Sequence, residues 1–152
     1  MTSLRADGAS QGDSSELEVL LVHEDVSAGS RAERILEQVA LNLETKTDFL
    51  VNLWPFVLLG DAVLCDRAVR DATHADIMLL SVSGCTELPT TVRALLKEWL
   101  GCRGEMPGAL VVSLDFSICD STPVLNYVRG LAEEAGIQVF PHFGVTPQLM
   151  RN

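Results

Sequence analysis

Apolar residues fall along this chain in two alternating rhythms. Short continuous runs alternate with longer stretches in which apolar positions recur every three or four residues. The clearest run is Ala75-Asp76-Ile77-Met78-Leu79-Leu80-Ser81-Val82-Ser83-Gly84. Its apolar and small residues between Asp76 and Val82 do not alternate with polar ones, the signature of a strand buried on both faces of a parallel sheet. It is the expected central strand. Leu17-Glu18-Val19-Leu20-Leu21-Val22 is the first strand and ends in His23-Glu24-Asp25; Phe49 to Trp54 is a second, stopped by Pro55 and suited to an edge. Ala109 to Leu114 is the fourth and ends at Asp115; Ile137 to Phe140 is the fifth, ended by Pro141.

Helical periodicity fills the gaps. Val26 to Gly29 is expected as a loop, with Ser30 and Glu33 at capping-box spacing and a helix to about Thr45 whose stripe is Ala32, Ile35, Leu36, Val39 and Leu43. Ala62, Cys65, Ala68, Val69 and Ala72 mark a second helix within Leu58 to Thr73. Pro89 opens a third, with Val92, Leu95, Leu96, Trp99 and Leu100 buried and Gly101 with Gly104 ending it. Ser121 is the expected N-cap of a fourth, with Val124, Val128, Leu131 and Ala135 in its stripe and Gly136 closing it.

Five strands separated by four amphipathic helices imply right-handed crossovers and a three-layer α/β fold, a doubly wound parallel five-stranded sheet in the order 2-1-3-4-5. The final helix of such a topology is missing: only residues 144 to 152 follow the fifth strand. An apolar surface near the first helix or the last strand is therefore expected, closed by a second copy in a homodimer.

At 152 residues, 47% hydrophobic and 21% charged, the chain is one globular domain over 16 to 152 behind a polar, flexible leader over 1 to 15. No run reaches the roughly 18 apolar residues of a membrane span, and no signal-peptide pattern occurs, so a cytoplasmic protein is expected. The formal charge of -10 disfavours nucleic acid and anionic membranes as partners. Cys65, Cys85, Cys102 and Cys119 are scattered without metal-site spacing and suit reduced thiols.

Candidate chemistry gathers at the carboxyl ends of the strands. Glu24, Asp25 and Asp115 are a candidate Mg²⁺ set, hard oxygen ligands from two strand ends, or simply solvated loop carboxylates. Ser27-Ala28-Gly29-Ser30 before a helix, with Ser83 from the central strand, could cradle a cofactor phosphate, or Ser27 and Ser30 could simply cap the helix. His23 and His142 are a candidate proton-transfer pair or two structural histidines, and Cys85 a candidate reactive thiol or a half-buried one. No P-loop, dinucleotide glycine fingerprint or G-x-S-x-G elbow occurs.

Two resemblances follow from these residues. Glu24-Asp25 after the first strand resembles the acidic pair of response-regulator receiver domains, and the element order matches over Glu18 to Phe140. The phosphoacceptor aspartate of that family is replaced by Ser81, and its lysine after the fifth strand by Pro141-His142, which implies a degenerate receiver deaf to aspartyl phosphorylation. The serine-glycine turn and the segment Leu88-Pro89-Thr90-Thr91-Val92-Arg93 are similar to flavodoxin-like reductases, which implies FMN or nucleotide binding. The expectation is a flavodoxin-like fold serving as a non-catalytic, receiver-like signalling module that works through protein contacts. The alternative is a flavodoxin-like FMN- or nucleotide-binding protein, with a reductase as one form of it.

Overall fold

The computed structural model describes residues 2–3, 15–42, 47–83, 87–103, 108–115 and 122–144. Its elements in chain order are β1 (Thr2–Ser3), β2 (Ser15–His23), α1 (Val26–Asn42), β3 (Thr47–Pro55), a 3-10 turn (Phe56–Gly60), α2 (Ala62–His74), β4 (Ile77–Val82), α3 (Thr90–Arg103), β5 (Ala109–Asp115), α4 (Thr122–Ala135) and β6 (Gln138–Gly144). The sheet runs β1-β3-β2-β4-β5-β6. β2 through β6 are all parallel to one another, so the five long strands have the expected 2-1-3-4-5 order and the fold is a flavodoxin-like α/β layout.

β4 lies between β2 and β5, and its residues from Met78 to Val82 are all buried. The two faces of the sheet are covered unequally. Leu20, Val22, Met78, Leu80, Val82, Leu110, Val112 and Leu114 point into the larger core, packed by Val92, Leu95, Leu96 and Trp99 of α3 with side chains of α2 and α4. Trp99 is fully buried and its Nε1 donates to the Ala75 carbonyl at 3.0 Å, while Trp54 donates to Asp71 at 2.8 Å, so both indoles serve the core. On the opposite face, among the described residues, α1 packs Ala32 and Leu36 over Val19, Leu21, Phe49, Val51 and Leu79.

Several boundaries differ from the periodicity. Thr2–Ser3 pairs antiparallel with Leu50 and Val51, so part of the polar leader joins the sheet and β3 is not bare at its rim; two residues carry no readable period. α1 begins at Val26 and not at Ser30, because Asp25 supplies the cap. The second helical stretch is split by Asp61, whose carboxylate accepts from the Val63 and Leu64 amides and starts α2 afresh. α3 runs through Gly101 to Arg103. β6 continues through Pro141 to Gly144, as an edge strand can, since part of its backbone faces no partner. Gly136 ends α4 as expected: at φ 74° it directs its own amide to Glu133 and that of Ile137 to Ala132. The expected N-cap Ser121, Gly104, Cys85, Cys119 and the chain after 144 lie outside the described residues. No helix follows β6 among the described residues.

Candidate functional site at the carboxyl edge

Parallel register sets one row of residues across the carboxyl end of the sheet: Pro55, His23, Ser81, Ser113 and His142. Side chains on one such row share a face, here that of α1. Two serines thus meet at the ends of otherwise apolar strands, both fully buried. Buried hydroxyls need partners, and α1 provides one. Arg31, on its second turn, is only 4% exposed and lays its guanidinium over the row. Its Nε donates to Ser113 Oγ at 2.8 Å, and its Nη2 to the Val82 carbonyl at 2.6 Å and to Ser81 Oγ at 3.4 Å. The Ser81 hydroxyl in turn donates to the Ala28 carbonyl at 2.7 Å, tying the central strand to α1. Asp115, fully buried, places Oδ2 3.8 Å from Arg31 Nη1. Burial lowers the Arg31 pKa from its ordinary value, while Asp115 and Asp25 oppose that change by favouring the charged form.

The acidic pair after β2 is also engaged with its surroundings. Glu24 accepts the Ser83 amide at 2.7 Å through Oε1. Asp25 Oδ1 accepts the Ala28 amide at 2.8 Å and the Ser83 hydroxyl at 2.9 Å. This is an N-cap bond, from the third helical residue, and it places a negative charge at the positive end of the helix dipole. The cap also explains why the serine-glycine turn is no turn. Ser27 and Ser30 stand exposed within the first turns of α1, and Gly29 is buried there, where a Cβ would come 3.1 Å from His23 Nδ1. Glycine at 29 thus serves the approach of α1 to the end of β2. The expected Ser30 cap is replaced by Asp25.

Of the groups anticipated for cofactor binding, only Ser83 stands with the acidic pair, and its amide and hydroxyl are both bonded to carboxylates. The donor set does not fit an FMN phosphate. The Ala28 and Ser83 amides, which a phosphate at this helix end would use, already hold Asp25 and Glu24, and an anion brought there would face two carboxylates. The three carboxylates are not gathered as a metal set either. Among the described residues no group of three His, Cys, Asp or Glu side chains could hold a metal ion. Asp115 instead faces a guanidinium, which competes with a cation for it. His23 and His142 stand on the same row with Ser81 and Ser113 between them. That is three strand spacings, about 14 Å, too far for direct proton transfer.

Arg31 lies beside Ala32 and four residues before Ile35, on the flank of the α1 stripe, but its charge kept it out of the apolar pattern, so the centre of the cluster is absent from the candidates above. The available signal lay in the strands. Serine at matched positions near the ends of two largely buried strands, followed at Asp115 by a buried carboxylate, calls for a multivalent donor from the helix above.

Comparison with known proteins extends the fold only. No family model and no curated protein matches the chain. Among solved structures it is similar to Smu.1420 from Streptococcus mutans UA159, at 14% identity and a TM-score of 0.51, over 90% of this chain and 91% of that one. It is also similar to the NADH:FMN oxidoreductase EMOB in its apo form, at 15% identity and a TM-score of 0.55, over 84% of this chain and 75% of that one. What the chain shares with both is the flavodoxin-like arrangement of strands and helices.

Proposed function

We propose that this protein is a non-catalytic, receiver-like regulatory module that acts through protein contacts, a second copy of itself among them. The observation that carries the proposal is the occupation of the Ala28 and Ser83 amides by the chain's own Asp25 and Glu24. A carboxyl edge that satisfies its own donors holds loops in place and leaves little for a phosphate to gain. At the end of the central strand Ser81 offers no carboxylate to phosphorylate, and its hydroxyl is buried between Ala28 and Arg31. Regulation by aspartyl phosphorylation therefore has no acceptor at that position. The proposal places the module in the cytoplasm, where Cys65 and Cys102, free thiols both, stay reduced.

The alternative, an FMN- or nucleotide-binding reductase, draws on the fold shared with an NADH:FMN oxidoreductase. A spectrum separates the two. Protein incubated with excess FMN and then gel-filtered is expected to elute colourless, because a retained flavin would carry its own yellow absorption. A stoichiometric flavin band eluting with the protein would overturn the proposal in favour of the alternative.

A further inference from the structure

Exposed apolar side chains gather where β2 and β3 leave the sheet. His23 and Pro55 are paired at the ends of these strands, and the chain departs from them to opposite sides. α1 begins at Val26 over the face that holds Val19 and Leu21, while the 3-10 turn sends Phe56 and Leu59 into the core of the other face and α2 follows at Ala62. Both departures also carry apolar residues outward. Val26 is 81% exposed, Val57 80% and Val63 69%, with Leu53, near the end of β3, and Leu58 exposed as well. The other large apolar side chains exposed among the described residues lie on β6 and in the second half of α1. Charge at this corner is predominantly negative. Glu24 and Asp25 precede α1, Asp61 caps α2 and Asp66 lies on its first turns, the three aspartates exposed. Arg67 is the exposed cation among them, and Arg31 is buried and opposed by Asp115.

We infer that this corner docks a cationic amphipathic helix of a partner protein, its apolar stripe on Val26, Val57 and Val63 and its Lys or Arg residues beside Asp25, Asp61 and Asp66. Complementarity selects this occupant. The valines call for an apolar stripe, and the carboxylates around them call for positive charge on its flanks. A second copy does not supply that, because its formal charge of -10 brings like charge to an acidic corner. Nucleic acid is repelled for the same reason. An added strand does not fit either: Val26, Val57, Leu58 and Val63 are carried by two helix starts and a 3-10 turn, which present side chains and no row of unpaired strand backbone. A helix of about 14 residues is about 21 Å long, enough to lie across the rim from the layer of α1 to that of α2. The inference rests on the protein-contact reading above, and the two fail separately: flavin retention would remove that reading without moving this surface, and a cationic helix that does not bind would remove this surface without supplying a flavin site.

Fluorescence anisotropy of a labelled peptide of about 14 leucines and lysines, with the leucines along one helical face, tests it on the full chain. The expected result is saturable one-to-one binding with a dissociation constant of about 10 to 100 μM. Val57→Gln combined with Val63→Gln, both at exposed positions outside the core, should raise that constant at least about fivefold with an unchanged far-UV spectrum. Leu41→Gln, exposed in the second half of α1, should leave it unchanged. The same peptide with glutamate in place of every lysine should not bind. A leucine-lysine peptide that fails to saturate would overturn the inference. So would binding indifferent to the paired valine substitutions, which is attraction of a cationic peptide to net charge alone, and so would equal binding of the glutamate peptide.

Discussion

Arg31 holds the carboxyl edge together. One guanidinium spans two strands, donating to Ser113 and Ser81 and to the Val82 carbonyl, with Asp115 as its counter-charge. Removing the cation leaves a carboxylate and two hydroxyls in the interior with fewer partners, and breaking a buried pair in this way is costly. Arg31→Met is expected to lower unfolding free energy by about 3 kcal/mol. Arg31→Lys should recover less than half of that, because an ammonium on a flexible stem cannot reproduce the planar fork. Urea denaturation with an unchanged slope measures both; a loss under about 1 kcal/mol for the methionine variant would contradict the assigned role. Asp25 is argued the same way. Its Oδ1 serves the Ala28 amide and the Ser83 hydroxyl together, so Asp25→Ala should cost about 1 to 2 kcal/mol. Asp25→Asn, which keeps a capping oxygen, should cost clearly less, and equal losses in the two variants would show that capping is not what Asp25 contributes.

At the level of elements, the sequence is most legible where burial is most complete. β4 has no alternation because both of its faces are covered, and the run from Ile77 to Leu80 announces that directly. The α3 stripe is equally plain, with Val92, Leu95, Leu96, Trp99 and Leu100 all buried. Gly136 was legible because a left-handed residue after a helix is a glycine's place, and Gly136→Ala should cost about 1 kcal/mol in thermal or urea unfolding through that backbone angle. A neutral result would mean that the turn relaxes to another conformation. Legibility fails where a small residue has two uses. Ser27, Gly29 and Ser30 read as a loop by composition, yet Asp25 starts the helix before them and Gly29 is small because His23 lies against it. Arg31 was missed for a related reason: its charge argues for solvent although its position, four residues before Ile35, lies on the buried flank of α1, and the matched serines on β4 and β5 reveal its interior partners. Pro141 misleads in the opposite direction, since an edge strand can pass through a proline that a central strand cannot.

For the molecule as a whole, the uneven clothing of the sheet and the closed carboxyl edge bear on function together. Among the described residues one face is packed by three helices and the other by α1, and on β6 Phe140 is 45% exposed. The edge where a flavodoxin-like fold offers a ligand site is instead bridged by Glu24, Asp25 and Arg31. Interior polar bonds of this kind fix loops, and an exposed apolar face invites a partner. The proposed role in protein contacts rests on this arrangement. The closed edge is the claim on which the functional account depends, and equilibrium titration with FMN, followed by quenching of flavin fluorescence, tests it most directly. The account predicts no saturable quenching up to about 100 μM protein, far above the range of a resident cofactor; one-to-one saturation at low micromolar concentration would show that Glu24 and Asp25 yield their amides to a phosphate and would contradict it.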